Sequence, residues 1–259
     1  MITGVAVVPS PPLLARELTG RSVVLPELRE ACSVAVGRLV ATGADVVAVV
    51  GAGPQTAAWD PEGRLDVAAW GPLLATGGRS KPGLPLALGI GARLLDEAGY
   101  RGPRAAQAVD SGSSSADCVA LGACLAGIAP RVALLVVGDG SARCTPAAPG
   151  YFDERAEAFN ASARASIRDG DMAALAALDA GLGAELMATG RAAWQVLAGA
   201  VLAGAVLTEA VLTEAVLTEA VLTEAVLTGD GGLIRRVPGD VLYADAPLGV
   251  FYLVAVLDL

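Results

Sequence analysis

Short, uninterrupted apolar runs alternate along the chain with longer segments in which apolar residues recur at helical spacing. The runs Gly4–Val8, Asp45–Val50 and Arg131–Val137 are too short for buried helices and predict buried strands. Between them, Leu25–Val40 and Leu84–Ala98 repeat Leu, Ala and Val at a spacing that favours helices. The pattern therefore predicts strands and helices in alternation.

The second half of the chain continues this alternation. Predicted strands are Ala105–Val109, Asp240–Ala244 and Gly249–Leu257, and predicted helices are Ala116–Gly127 with a serine N-cap, Asp153–Arg168 and Gly181–Leu197. We expect a single α/β domain over residues 1–259, with a central, mostly parallel or mixed sheet flanked by helices. Loops at the strand ends are where such folds place their ligand sites.

A low-complexity insertion interrupts this pattern at residues 200–229, where a five-residue unit built on Ala-Val-Leu recurs. The unit resembles the pentapeptide-repeat family, which forms a square β-solenoid. A helical interpretation competes, although a period of five advances about 140° per unit and gives no constant apolar face. A third interpretation is a tandem expansion that a surface position tolerates. We expect a helix that continues from Gly181–Leu197 into the repeat.

Composition excludes several classes of function. The net charge is −9 and Lys81 is the only lysine, so the chain has no basic footprint for nucleic acid. The chain contains no uninterrupted run of about 18 apolar residues, so the sequence predicts no membrane span. The four cysteines lack CxxC spacing and indicate reduced, mostly buried thiols in a cytoplasmic protein. Self-association into a homo-oligomer is compatible with all of this.

Candidate chemistry is limited by the complete absence of histidine. The usual general base near neutral pH and the commonest metal ligand are therefore missing. Gly51-Ala52-Gly53-Pro54, predicted as a turn, is a poor dinucleotide loop. Ser114 stands where a nucleophile elbow would place its serine, although an N-cap explains it better. Asp139 and Asp245 follow apolar runs, where a carboxylate can face a cleft or form a turn.

Five motifs, in order along the chain, are similar to motifs of one known family. They are Val8-Pro9-Ser10-Pro11-Pro12-Leu13-Leu14, Asp110-Ser111-Gly112, Val136-Val137-Gly138-Asp139-Gly140-Ser141-Ala142-Arg143, Ala148-Pro149-Gly150-Tyr151-Phe152-Asp153 with Phe159, and Tyr243-Ala244-Asp245-Ala246-Pro247-Leu248-Gly249-Val250-Phe251-Tyr252. Together they resemble the superfamily of class III extradiol ring-cleavage dioxygenases, in particular its Memo-like branch. The resemblance spans nearly the whole chain and leaves the repeat as an insertion.

The resemblance implies an α/β fold with a cleft, and it also assigns a position to each missing histidine. Active members hold Fe(II) with two histidines and a glutamate, which leaves positions open for oxygen. Here Ser10 stands at the first metal histidine, and the second falls near Gly53. Ser111 and Ala142 replace two further histidines, and Asp245 keeps a shortened carboxylate. We therefore expect no Fe(II) and no other cofactor.

Three hypotheses follow. The first is a non-catalytic binding or scaffold protein that keeps the ancestral cleft, lined by Ser10, Gly53, Ser111, Asp139, Ala142 and Asp245, for a small molecule. The second is an enzyme for a small aromatic or acidic substrate, with Asp139, Asp245 and Ser111 as candidate catalytic residues beside Ser10 and Ser114. The third is an interaction protein that acts through the repeat, which deletion of residues 205–224 would separate from the other two.

Overall fold

The predicted apolar runs form the centre of a seven-stranded mixed sheet in the computed structural model, which describes residues 1–20, 24–65, 83–212, 225–227 and 233–259. The strands are β1 Ile2–Val8, β2 Val46–Gly53, β3 Ala57–Trp59, β4 Arg104–Asp110, β5 Val132–Val137, β6 Ala225–Leu227, β7 Leu233–Arg235, β8 Asp240–Asp245 and β9 Tyr252–Asp258. The sheet order is β3-β4-β2-β5-β1-β9-β8, and β6 pairs with β7 separately. The α/β prediction is confirmed.

Helices cover both faces of the sheet. They are α1 Arg16–Thr19, α2 Pro26–Ala41, α3 Leu86–Glu97, α4 Ser115–Ala126, α5 Arg155–Arg168, α6 Met172–Ala176, α7 Ala180–Glu185 and α8 Arg191–Leu212, with a 3-10 turn at Pro12–Leu14. Two buried apolar clusters result, because alternate residues of each strand point to opposite faces. One cluster holds α2 and α3, and the other holds α4, α5 and α8.

The four central strands β4, β2, β5 and β1 run parallel, so their carboxyl ends meet at one edge of the sheet. The outer strands β3, β9 and β8 are antiparallel to their neighbours. Across the centre, Val8 of β1 and Gly51 of β2 both pair with Val137 of β5. The loops that follow these strands therefore start at nearly the same level, as the predicted ligand site requires.

Helices α4 and α8 cross so closely that their backbones approach each other without side chains between them. A Cβ added at Gly122 would lie 2.0 Å from the Val196 carbonyl oxygen, and one added at Gly199 would lie 2.1 Å from the Val119 carbonyl oxygen. No side chain fits at either position, so glycine is required by the packing. This crossing fixes α8 against the middle of α4.

Two sequence predictions are wrong in detail. The first three residues of the predicted turn Gly51–Pro54 are the end of β2, where the glycines serve close packing: a Cβ on Gly51 would lie 2.6 Å from Ala87 Cβ. The predicted helix Gly181–Leu197 is broken between α7 and α8. At the break Met187 has a φ of 56°, and Gly190 approaches Gly138, so that the Gly190 amide donates to the Asp139 carbonyl at 2.7 Å.

The repeat begins inside α8, which ends at Leu212, so a helix does continue into the repeat, as predicted. The units up to that residue are helical, so the solenoid interpretation does not describe them. Residues 213–224 and 228–232, which carry most of the remaining units, lie outside the described residues. Among the described residues, no helix combines the length and apolar content needed to cross a bilayer.

Candidate functional site

The carboxyl edge of the parallel strands brings most of the predicted site residues to one side of the molecule. Ser10 follows β1, Asp139 follows β5, and Gly53 is the last residue of β2. Gly53 pairs with Asp110 at the end of β4, which places Ser111 next to it. Among these predicted site residues, all of which lie in the described part of the chain, a side-chain hydrogen bond joins Ser10 and Asp139.

Ser10 presents both of its donors to the Asp139 carboxylate. The Ser10 amide donates to Asp139 Oδ1 at 2.7 Å, and the hydroxyl donates to Oδ2 at 3.0 Å. Ser10 is buried, whereas Asp139 stays partly exposed although protein atoms surround most of it. Burial raises the pKa of Asp139 from 3.8 to about 6, and the two bonds from Ser10 only partly offset it. The Asp139 carboxyl group, which is hydrogen-bonded to Ser10, thus titrates near neutral pH.

Two other titratable side chains on the α2 face of the sheet lie within electrostatic range of this carboxyl group. Burial raises the pKa of Tyr252 to about 12, and the charge of Asp139 adds to the effect. Burial also raises the pKa of the Cys32 thiol to about 12. The positive charge of Arg29 acts to lower this pKa, and the negative charge of Asp139 acts to raise it. The Tyr252 phenol and the Cys32 thiol are therefore neutral at physiological pH and add no negative charge near Asp139.

The loop that carries Ser10 (the Ser10 loop, residues 9–14) is held by Arg29 of α2. Arg29 Nη1 donates to the Leu14 carbonyl at 3.2 Å, and Nη2 donates to the Leu13 carbonyl. Its Nε donates to the Val24 carbonyl at 3.2 Å. Three of the six residues of this loop are proline and have no amide donor, and the guanidinium fixes the loop through its carbonyl groups.

The segment after Asp139 is fixed from α5 by Asn160, which is buried. The Asn160 Oδ1 accepts the Ser141 amide at 3.0 Å, and Ser141 Oγ donates to the Leu186 carbonyl at 3.0 Å. Ala142 lies in this segment, where its amide donates to the Leu186 carbonyl at 3.1 Å. Sequence reasoning missed Asn160, although an asparagine on the apolar face of a helix signals a buried hydrogen-bonding role.

The loop after β4 (the Ser111 loop, residues 111–114) is held by a different arginine. Arg191 of α8 is only 2% exposed. Its Nη1 donates to the Ser113 carbonyl and to Gln195 Oε1, both at 2.8 Å, and its Nη2 donates to the Ser111 carbonyl. Gln195 in turn donates to Ser115 Oγ at 2.9 Å. Sequence reasoning missed Arg191 and Gln195, whose i, i+4 spacing on an apolar helix was the available signal.

The side chains of the Ser111 loop have structural partners or face solvent. Ser111 is exposed. Ser114 is the N-cap of α4: its Oγ accepts the Asp117 amide at 3.1 Å and donates to Asp117 Oδ2 at 2.6 Å. Ser113 Oγ lies 3.1 Å from Thr56 Oγ1, at the rim of a small cavity of about 240 Å³. The N-cap prediction is confirmed, and Ser114 is not oriented as a nucleophile.

Asp245 ends β8, opposite Tyr252 in the β8–β9 ladder. It is exposed, and its Oδ1 accepts the amide of the adjacent Ala246 at 2.7 Å. The pKa of the nearby Tyr243 phenol is raised, mainly by burial and further by the negative charge of Asp245. Asp245 therefore lies at the exposed periphery of the carboxyl edge of the sheet, whereas Asp139 is the more buried of the two carboxylates.

These donors do not fit the Fe(II) that the family resemblance implies. The Ser10 hydroxyl is committed to Asp139, Gly53 has no side chain, and Ala142 offers no ligand. Within the described ranges no three Cys, Asp or Glu side chains are grouped to hold a metal. Fe(II) in oxygenases requires a facial set of imidazole and carboxylate ligands.

Comparisons with known proteins support the fold and the repeat. Residues 196–229 match the model of the pentapeptide repeats, in eight copies. The crystal structure of an uncharacterized protein from Escherichia coli K12 superimposes with a TM-score of 0.52 at 12% identity, over 98% of this chain and 99% of that one. At that identity the likeness establishes the fold alone. A search of curated proteins finds no match.

Proposed function

We propose that this chain is a non-catalytic binding protein of the extradiol dioxygenase-like type. Its ligand is a small, hydrogen-bond-donating molecule such as a phenol, which contacts Asp139 at the carboxyl edge of the sheet. One observation carries the proposal: Ser10, at the position of a metal histidine in the resemblance, donates twice to Asp139. This replaces a metal ligand with a hydrogen-bonding pair.

The surroundings of Asp139 support a ligand with a hydroxyl group. Asp139 keeps part of its surface open, and its two oxygens can accept further hydrogen bonds. Tyr252 and Cys32 stay protonated across the physiological range, since burial raises the pKa of both to about 12. Two protonated, uncharged groups near one carboxyl group suit a neutral aromatic alcohol better than a second anion.

Calorimetric titration with catechol tests this proposal, with cyclohexanol as the probe that matches its size but lacks an acidic hydroxyl. We expect catechol to bind the wild type and Asp139→Asn to weaken it by about tenfold, the scale for loss of a hydrogen bond to a charged group. Asp245→Asn is the matched control and should change binding little. Equal affinity in the Asp139→Asn variant, or no binding of catechol, would contradict the proposal.

A second candidate is an enzyme in which Asp139 acts as a general base. The direct contact between Ser10 Oγ and Asp139 Oδ2, together with a pKa near 6, favours it. Hydrolysis of p-nitrophenyl acetate is the test. This candidate predicts a rate that rises through pH 6 and is lost in Ser10→Ala and in Asp139→Asn; a rate unchanged by both substitutions rejects it.

A third candidate is an interaction protein that acts through the repeat, and the family match over residues 196–229 supports it. Deletion of residues 205–224 tests it by comparing partner capture and oligomeric state with the full chain. Unchanged behaviour after the deletion rejects this candidate and leaves the other two untouched.

A further inference from the structure

The two edges of the seven-stranded sheet differ in length. At one edge β3 has three residues, and at the other β8 has six, Asp240–Asp245. One side of β8 pairs with β9, and no strand in the described part of the chain pairs with its other side. An edge strand presents a row of backbone N–H and C=O groups with which a further strand can pair. β8 is therefore the edge better suited to accept one.

A β-bulge in β8 directs an additional apolar side chain toward α2. The pairing of β8 with β9 shifts in register between Val241 and Tyr243, which makes Leu242 the extra residue. In a regular strand successive residues face opposite sides of the sheet, but Leu242 and Tyr243 both pack on the side of α2. Leu242 thereby lines a groove of about 590 Å³ that lies between β8 and α2.

The lining of this groove is apolar and acidic. Its apolar residues are Pro26, Ala31, Val34 and Leu242. Its charged residues are Glu27 and Glu30, which are both exposed on α2. Neither carboxylate has a hydrogen bond or an ion pair with another residue in the part of the chain that the structure describes. The groove therefore offers two unpaired negative charges beside an apolar surface and a strand edge.

The arginines of α2 do not neutralise these carboxylates. Arg29 donates to carbonyl groups of the Ser10 loop and of Val24. Arg38 donates to Asp240 at 2.7 Å and to Asp258 at 2.5 Å, so two carboxylates share one guanidinium. Together, α2 and β8 carry four carboxylates and two arginines. The charge along this edge is therefore predominantly negative.

A second copy of this chain is a poor match for this edge. Two β8 strands paired about a central two-fold axis run antiparallel, so Asp240 of one copy approaches Asp245 of the other at both ends of the strand. Like charges placed opposite each other destabilise a strand pair. The net charge of −9 on each copy adds to this repulsion. The edge therefore favours a strand of opposite charge.

We propose that the outer edge of β8 binds an extended segment of a partner protein in which every second residue is lysine or arginine. The segment pairs its backbone with β8 and becomes an eighth strand of the sheet, the mode known as β-augmentation. Its alternate side chains lie on the side of α2. There their aliphatic stems pack on Leu242 and Val34, and their charged ends reach the two glutamates of the groove. Binding there does not require a ligand at Asp139.

Fluorescence anisotropy of a dye-labelled octapeptide of alternating lysine and threonine, titrated with the full chain, tests this site. We expect the peptide to bind the wild type. Glu27→Gln with Glu30→Gln should raise its Kd about tenfold, a factor of a few for each exposed ion pair that is lost. An octapeptide of alternating lysine and proline has the same charge but lacks half of the backbone donors, and it should bind at least about tenfold more weakly.

The double substitution Glu154→Gln with Glu157→Gln is the matched control, because these glutamates are also exposed and lie three residues apart at the start of a helix, α5. It removes the same charge and should change the Kd by less than about twofold. No binding of the lysine–threonine peptide overturns the proposal. So does equal affinity for the lysine–proline peptide, or equal weakening by the two double substitutions.

Hydrogen exchange measured by mass spectrometry locates the bound peptide on the sheet. At a peptide concentration of about ten times the Kd, the outward-facing amides of Asp240–Asp245 should exchange about tenfold more slowly, because only the free protein then exposes them. The amides of Ala57–Trp59 at the opposite edge should exchange as before. Protection at β3, or binding without protection at β8, contradicts strand addition at β8.

Discussion

The Ser10 loop and the Ser111 loop occupy equivalent places in the fold and have different chemistry. Each follows a parallel strand, and each is fixed by one arginine through backbone carbonyl groups. In the first loop the serine is buried and donates twice to Asp139. In the second loop Ser111 is exposed, while its carbonyl accepts a bond from a buried cation.

The difference shows that burial, more than position in a motif, decides what a residue at this edge can do. The resemblance aligns both Ser10 and Ser111 with histidine positions of the family. In the structure the Ser10 side chain has a defined partner, Asp139, whereas Ser111 is exposed. One loop presents a titratable pair. The other uses its polar groups for support, since Arg191 and the Ser114 cap fix its backbone. Substitutions in the two loops should therefore differ in size and in pH dependence.

The largest expected effect is at Arg191. Arg191→Met leaves two loop carbonyls and Gln195 Oε1 buried without their donor, which should lower the free energy of unfolding by about 3 kcal/mol or more. Arg29→Met, the matched change in the Ser10 loop, removes a partly exposed guanidinium and should cost about 1–2 kcal/mol. Denaturant unfolding measures both, and equal losses would contradict the contrast between the loops.

The next largest effect concerns the crossing that supports the Ser111 loop. Gly122→Ala places a methyl group against the Val196 carbonyl of α8 and should cost about 2–3 kcal/mol by overpacking. Gly37→Ala on α2 is the control, because in the described part of the chain no atom beyond its own helix backbone and chain neighbours lies within 4 Å of the added Cβ. That control should gain about 0.5–1 kcal/mol from helix propensity. Thermal and denaturant unfolding compare them; a neutral Gly122→Ala would show that the two helices do not need their close approach.

A fully apolar strand such as β5 could be predicted from sequence to within one residue, because burial on both faces demands an unbroken apolar run. The sheet edge could also be predicted, since it follows from the parallel order. The loop partners of Arg191 could not be predicted, because they lie 78 and 80 residues away and are backbone carbonyls that any residue supplies. Gly51 and Gly53 led to the wrong prediction of a turn for a related reason, because glycine occurs both in turns and where backbones pack closely.

A smaller effect should appear as pH dependence at Asp139. Its folded pKa of about 6 exceeds the ordinary 3.8, so the folded state binds more protons between these values and loses stability as pH rises through that window. The stability of wild type relative to Asp139→Asn should therefore fall between pH 4 and 7, by at most about 2 kcal/mol.

Asp153 supplies a control of opposite sign for that experiment. Arg155 lowers its folded pKa to about 2, so its contribution is present above pH 4 and is lost as pH falls toward 2. The relative stability of wild type and Asp153→Asn should thus be flat where Asp139 titrates. A flat Asp139→Asn profile between pH 4 and 7 would mean that Asp139 is not desolvated.

The smallest effects compare the two serines directly. Ser10→Ala removes the donor to a largely desolvated carboxylate oxygen and should cost about 1–2 kcal/mol. Ser111→Ala removes an exposed hydroxyl and should change stability by no more than about 0.5 kcal/mol. Unfolding of both variants in the same buffer ranks them, and a larger loss at Ser111 would reverse the comparison.

A serine–aspartate pair stands at this edge of the sheet where the resemblance places a metal centre. Anaerobic titration of the wild-type protein with Fe(II), followed by gel filtration and metal analysis, tests this replacement most directly. We predict no stoichiometric retention of iron and no difference between wild type and Ser10→Ala. Stoichiometric iron that is lost in Ser10→Ala or Asp245→Ala would contradict it.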